Sequence, residues 1–268
     1  MLERTDWLFG GPELHLASNK SSSTLADVYA QLVQDGGIAS AQSKGTTDRC
    51  APLPLTLFGQ LPDNGSEPIV NPKPRFVRHQ LDPCCWVDQV ERLIIGADTL
   101  FDQVVESFEW DQGQRLMYGR WIDEPRLTSR AELDDDRIPA VVHQAVAVLE
   151  DHYERSFNGL FCNFYRDGAD SVAWHADRIG RSKVDPLVAI ASLGGPRSFM
   201  MRDRSMTGQH KTSTNFPVHS GDLLVMGGAT QHHWEHAVPK QKNAPPRISL
   251  TTRAGSWLRP ADQPIDGE

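Results

Sequence analysis

The apolar positions of this chain fall into two regimes that meet near residue 157. Upstream, Leu100, Phe101, Val104, Val105 and Phe108 recur at helical spacing within 97–108, and Ile138, Val141, Val142, Ala145, Leu149 and Tyr153 trace a longer stripe of the same period. Side chains three and four apart share one face of a helix, so two amphipathic helices are expected here. Downstream, short runs of β-formers cover 160–165, 187–193, 197–201, 214–218, 222–226, 233–238 and 247–253, separated by Gly, Pro, Asp and Ser. That rhythm predicts an antiparallel sandwich or barrel, because alternating βαβ units would place helical stretches between the strands. The expected fold class is α+β with a mainly β core, the helices coming first. There is no internal repeat and neither GxGxxG nor GxxxxGK[ST], so folds that cradle a nucleotide cofactor have no support.

Residues 1–72 follow neither pattern. They are rich in Ser, Gly and Pro and read as a partly flexible N-terminal extension. One helix is expected within it at 25–34, where Leu25, Val28, Tyr29, Leu32 and Val33 share a face between Thr24 as cap and Gly36 as stop.

Composition narrows the class. With 268 residues, 39% hydrophobic and 23% charged, the chain can bury a substantial core and is not disordered or collagen-like. A formal charge of −8 excludes nucleic-acid binding through bulk basicity, so any polyanion site must be local. Within 178–211, Arg178, Arg181, Lys183, Arg197, Arg202, Arg204 and Lys211 stand against only Asp185 and Asp203. That run suits a solvated loop face and a phosphate-tracking groove equally. Cys50, Cys84, Cys85 and Cys162 have no CxxC spacing, and neighbours such as Cys84 and Cys85 do not easily close a normal bridge, so reduced thiols are expected. Met1–Asp6 lacks the basic-then-apolar order of a signal peptide, and no run approaches the length of a membrane span. A cytoplasmic monomer without membrane contact is the expectation.

The chemistry centres on Ala173-Trp174-His175-Ala176-Asp177. On extended backbone His175 and Asp177 point to the same side, although an HxD pair alone is more often a surface hydrogen-bonded pair than a metal site. His236 follows about sixty residues later, after the strand pattern Gly221-Asp222-Leu223-Leu224-Val225-Met226. Two imidazoles and a carboxylate form the facial triad that holds Fe(II) and leaves positions open for a co-substrate and dioxygen. His232 and His233 are rival ligands; the strand context favours His236. In Pro246–Arg253, residues Arg247, Ser249, Thr251 and Arg253 share one strand face, where paired guanidinium forks could grip a small dicarboxylate or simply stand in solvent. Asn163 and Tyr165 share a face opposite to that of Cys162 and Phe164, which lets a polar pair face a barrel interior.

Six ordered motifs, Asn163-Phe164-Tyr165, Asp167-Gly168, His175-Ala176-Asp177, Gly221–Gly228, Trp234-Glu235-His236 and Arg247–Arg253, together resemble the AlkB family of Fe(II)/2-oxoglutarate dioxygenases. The resemblance is strong over 160–255, loose over 84–158 and absent from the first seventy residues. It implies a double-stranded β-helix, or jelly roll, over 159–260, preceded by helical support and a nucleotide-recognition lid over 73–158 and followed by a tail at 261–268. It implies Fe(II) held by His175, Asp177 and His236, with 2-oxoglutarate bound by Arg247 and Arg253, hydrogen-bonded by Asn163 and Tyr165, and flanked by Ser249. The implied reaction, with O2 as oxidant, removes alkyl groups from 1-methyladenine or 3-methylcytosine in DNA, and by extension RNA, releasing formaldehyde, succinate and CO2. Such a base is read single-stranded or flipped out and stacked on aromatic rings.

Tyr118 is the stacking candidate, with Met117 and Arg115 beside it in the lid segment, while Arg178 and Arg181 are candidate phosphate contacts. Trp174 points away from His175 on ideal backbone and reads as packing. Two positions depart from the family pattern. Arg178-Ile179-Gly180-Arg181 follows Asp177 where base-repair relatives carry an acidic residue, and Ser249 stands where they commonly carry Asn. Two other readings follow from the same residues: an oxygenase acting on a protein, lipid or small molecule, and a non-catalytic jelly-roll binding module.

Overall fold

The computed structural model describes residues 65–117, 119–177, 185–206 and 212–254; the helix expected at 25–34 lies outside them. In chain order the first elements are β1 (Ile69–Val70), β2 (Val77–Asp82), β3 (Cys85–Val90), β4 (Ile94–Ile95), helix α1 (Ala97–Ser107), β5 (Gln114–Met117), β6 (Arg120–Asp123) and β7 (Leu127–Ala131). Helix α2 (Ala140–Tyr153) leads into β8 (Phe157–Tyr165), β9 (Val172–His175), β10 (Val188–Gly194), β11 (Arg197–Asp203) and β12 (Thr214–Val218). Then come β13 (Leu223–Gly228), the single turn α3 (Thr230–His233), β14 (Trp234–Val238) and β15 (Arg247–Ala254).

Two antiparallel sheets form the jelly-roll core. The larger has the order β2-β3-β13-β10-β15-β8-β7 and the smaller the order β12-β11-β14-β9. Val87, Val188, Ile190, Leu224 and Met226 from the larger sheet pack against Phe199, Met201, Phe216, Val218 and Val238 from the smaller. Burial of those faces drives the two sheets together. The outer face of the larger sheet is covered by α1, which buries Leu100, Phe101, Val104 and Val105. Phe101 meets Phe164 edge-on at 5.9 Å between ring centroids. The parity of β8 thus sends Phe164 to the helices and leaves Asn163 and Tyr165 for the space between the sheets. Among the described residues, no helix is long and apolar enough to cross a membrane.

The seven β-rich runs reappear as β8 and β10–β15, and both helical stripes as α1 and α2. Residues 73–158 are less helical than the sequence suggests. They carry β2–β7 beside the two helices, and Ile69–Val70, within the stretch read as an extension, pairs with Ile94–Ile95. Most of these strands escape a hydrophobic-pattern reading because they are short or polar: β6 is exposed throughout and β2 has no buried position, although β3 buries four of its six residues. The hairpin of β5 and β6 presents Leu116, Trp121 and Ile122 at 57%, 68% and 46% exposure.

The added hairpin of β2 and β3 is fastened by charge. Asp88, buried in β3, accepts two 2.7 Å hydrogen bonds from the Arg78 guanidinium and one of 2.8 Å from the Tyr153 hydroxyl at the end of α2. The carboxylate is therefore buried with partners. Gly221 makes the turn into β13 with φ 86°, and a Cβ there would lie 2.1 Å from the Ile94 carbonyl oxygen. Gly221→Ala is expected to destabilise the fold by more than about 1 kcal/mol, read as a lowered urea midpoint.

Candidate active site

Strand pairing assembles the central cluster. β14 runs antiparallel to β9 with His236 opposite His175, and β11 flanks β14 on its other side with Met201 opposite His236. Asp177 lies just past the end of β9, where its backbone N–H donates to Gln231 Oε1 at 2.9 Å. The nearest Asp177 oxygen is 3.7 Å from His175 Nε2 and 3.9 Å from His236 Nε2. Three ligand atoms thus gather around one point, all within 4.8 Å of one another.

The imidazoles are held in different ways. His175 places Nδ1 2.9 Å from the Ala173 carbonyl oxygen, so Nδ1–H donates there and Nε2 is the nitrogen turned toward Asp177. His236 is buried, and Phe199 stacks on it at 5.2 Å between centroids. Burial brings its pKa down to about 4, despite the opposing pull of Asp177, so the ring is neutral at physiological pH. For Asp177, burial alone would raise the pKa; Arg253 first, then His236 and His175, hold it below the ordinary carboxylate value. His236 and Asp177 therefore stand in the protonation states a divalent metal requires, a neutral imidazole and a carboxylate.

The cluster opens on a cavity of about 70 Å³ lined also by Asn163, Tyr165, Arg247, Ser249, Thr251 and Arg253. Arg253 donates from Nη2 to Asp177 Oδ2 at 3.0 Å, which orients the carboxylate. Arg247 is wholly buried. Its Nη2 donates to Ser192 Oγ at 2.8 Å, while Nε and Nη1 have no hydrogen-bond partner among the described residues. A buried guanidinium with two unmatched donors is costly unless an anion joins it, so the cavity fits an anionic co-substrate beside a His₂Asp metal site. Asn163 accepts from Arg126 Nε at 2.7 Å and donates to Ser249 Oγ at 3.2 Å, linking two sequence-chosen residues to one that the sequence reading omits.

Arg126, Ser192, Gln231 and Phe199 are the contributors that sequence reasoning missed. Gln231 carried a faint signal as a polar residue between a strand and His236; the others gave none. Arg115 lines an outer groove of about 870 Å³ together with Ile122, Trp174, His175 and Asp177. Trp174 receives the Arg202 guanidinium 4.1 Å from its ring centroid. Met117 ends β5, while Tyr118, Arg178 and Arg181 lie outside the described residues. Of the basic run at 178–211, only Arg197, Arg202 and Arg204 are among the described residues, and they do not share one face. Arg197 is buried beneath Tyr165, and Arg202 pairs with Glu235 at 2.7 Å, because β11 turns alternate residues inward.

Residues 98–253 match the family described as the 2OG-Fe(II) oxygenase superfamily, more than half of the chain, and the protein belongs to that superfamily. Its members use Fe(II), 2-oxoglutarate and O2. The alpha-ketoglutarate-dependent dioxygenase alkB homolog 3 of Mus musculus is 33% identical over 175 residues, covering 59% of this chain and 61% of that one. The Homo sapiens protein named DNA oxidative demethylase ALKBH2 is 26% identical over 219 residues, covering 72% and 81%. Within the superfamily the chain is similar to these two AlkB-type proteins. A solved structure, that of OsALKBH1, aligns with a TM-score of 0.45 and 17% identity over 67% of this chain and 100% of that one. The chain spans about three fifths of the length of the AlkB homolog 3 proteins it matches.

The buried, neutral His236 has a consequence for acid stability. Its pKa is about 4 in the fold and the ordinary 6.5 when unfolded, so the unfolded chain binds more protons between those values. Stability of the metal-free protein falls as pH drops from 6.5 to about 4, and His236→Gln is expected to flatten that part of a pH series of urea midpoints.

Proposed function

We propose that the protein is an Fe(II)/2-oxoglutarate-dependent dioxygenase that removes alkyl groups from N-alkylated bases of the 1-methyladenine and 3-methylcytosine type in DNA, with RNA a second polymer substrate. The observation that carries the proposal is the buried Arg247, whose Nε and Nη1 are unmatched in the cavity that also receives His175, Asp177 and His236. The names of the relatives, dioxygenases and DNA demethylases, support the substrate class.

In this reading His175 Nε2, His236 Nε2 and an Asp177 oxygen hold the iron. Arg247, backed by Ser192, takes one carboxylate of 2-oxoglutarate through a charge-assisted pair. Arg253 keeps Asp177 ionised and aimed at the metal. When bound, iron and 2-oxoglutarate supply the oxidising power that hydroxylates an N-alkyl carbon, with succinate and CO2 as co-products and formaldehyde released from a methyl group. No side chain is needed as a nucleophile. The burial of His236 and Arg247 limits water at the inner end of the site, whereas the half-exposed His175 faces the groove through which a flipped base enters. The β5–β6 hairpin borders that groove through Arg115 and Ile122 and serves as the lid. The enzyme acts as a cytoplasmic monomer.

The test is succinate and formaldehyde release from Fe(II), ascorbate, 2-oxoglutarate and a single-stranded oligonucleotide carrying 1-methyladenine or 3-methylcytosine. Equal yields of the two products that require the methylated base, and that vanish in His175→Ala, are expected. Arg247→Lys, which loses the two-pronged grip, is expected to raise the KM for 2-oxoglutarate by roughly tenfold or more. Succinate without base-dependent formaldehyde would assign the site to a protein, lipid or small-molecule substrate. Iron bound with no succinate would point to another substrate or a lost activity, and no iron binding would leave a jelly-roll binding module.

A further inference from the structure

A second group of ligand atoms gathers at the turn between β2 and β3. Asp82, Cys84, Cys85 and His233 each bring one such atom, all within 4.8 Å of one another. The two thiol sulfurs are 3.8 Å apart, and His233 Nδ1 lies 3.5 Å from Cys84 Sγ and 3.6 Å from Cys85 Sγ. Asp82 Oδ1 is 3.2 Å from Cys84 Sγ. A tetrahedral zinc ion, with bonds of roughly 2.3 Å to sulfur and 2.0–2.1 Å to nitrogen, sets edges of about 3.8 Å between sulfurs and about 3.6 Å between sulfur and nitrogen. The sulfur–sulfur and sulfur–nitrogen separations are those edges, while the Asp82 oxygen lies closer to Cys84 Sγ than a bound oxygen would and must move outward slightly to ligate.

The surroundings hold the ligands in place. Trp234 Nε1 donates to Asp82 Oδ2 at 2.7 Å, leaving Oδ1 toward the sulfurs, and Ala229 N–H donates to the Cys84 carbonyl at 2.9 Å. Fixing the second oxygen of a ligating carboxylate in this way orients the first. We propose that Asp82, Cys84, Cys85 and His233 form a structural zinc site that clips the β2–β3 turn to the segment entering β14. Four protein ligands close the coordination sphere, which marks a structural centre over a catalytic one. The sulfur pair favours a softer ion than the His₂Asp set does, so the two sites differ in preference. His233 is followed at once by β14, so the clip fixes the start of the strand that carries His236.

The test uses the full chain bearing His175→Ala and Asp177→Ala, which disables the other site and makes the outcome independent of the proposed activity. One zinc per chain is expected by elemental analysis after purification with a phosphine reductant, and its loss in Cys84→Ser and in His233→Ala. Both of those residues are exposed, so the variants are expected to fold, as circular dichroism would report. Cobalt(II) in place of zinc should give a thiolate charge-transfer band in the near ultraviolet and intense visible bands of tetrahedral type, both abolished by Cys84→Ser. A strong chelator should lower the Tm of the parent by several degrees and leave that of Cys84→Ser unchanged. Zinc that is substoichiometric or passes to a weak chelating resin would overturn the proposal. So would a cobalt spectrum indifferent to Cys84→Ser, or a mass showing Cys84 and Cys85 joined to each other.

Discussion

The register of β14 against β9 sets His236 opposite His175, and the rest of the site is arranged around that pair. Neither strand could hold it alone: β9 is four residues long at the edge of the smaller sheet, and β14 is five. The register is fixed because β14 also pairs with β11, whose Phe199 and Met201 are locked into the core between the sheets. A slip of one residue would turn every side chain of β14 to the opposite face and carry His236 away from Asp177. The buried aromatic and aliphatic residues of β11 and β12 thus determine the geometry of the polar cluster, although they offer no ligand.

Electrostatics completes what pairing begins. Arg253 and Arg247 lie on one strand, β15, and serve different purposes. Arg253 pairs with Asp177, whereas Arg247 is buried with two of its donors unmatched among the described residues. A buried guanidinium without a counter-charge among its hydrogen-bond partners destabilises the fold, and the same charge gives affinity for a carboxylate. A site that carries such strain is tuned for a ligand, in keeping with the superfamily to which the chain belongs.

Much of this was legible in the sequence, and unevenly so. The runs that became β8 and β10–β15 are buried on at least one face, so their β-formers stand out, and α1 and α2 announce themselves by a single apolar stripe. His175, Asp177 and His236 could be chosen because strand parity and the motif order constrain them. The strands within 73–158 were illegible because β2 and β6 bury nothing that alternates. Arg126 and Ser192 could not be found, since each meets its partner only through sheet pairing between distant segments. His233 is the instructive case. Its sequence neighbour His236 made it look like a rival iron ligand, whereas the short α3 turns it toward Cys84 and Cys85, almost 150 residues away.

The contrast between the two histidines of the central cluster also governs traffic. The His236 side chain is 7% exposed and that of His175 is 40% exposed, so the outer groove reaches the cluster on the His175 and Asp177 side and not on the His236 side. Two imidazoles and a carboxylate bind later first-row divalent ions more tightly than iron. Occupancy by iron is therefore a matter of supply, and copper, nickel or zinc in a preparation would compete for the same place.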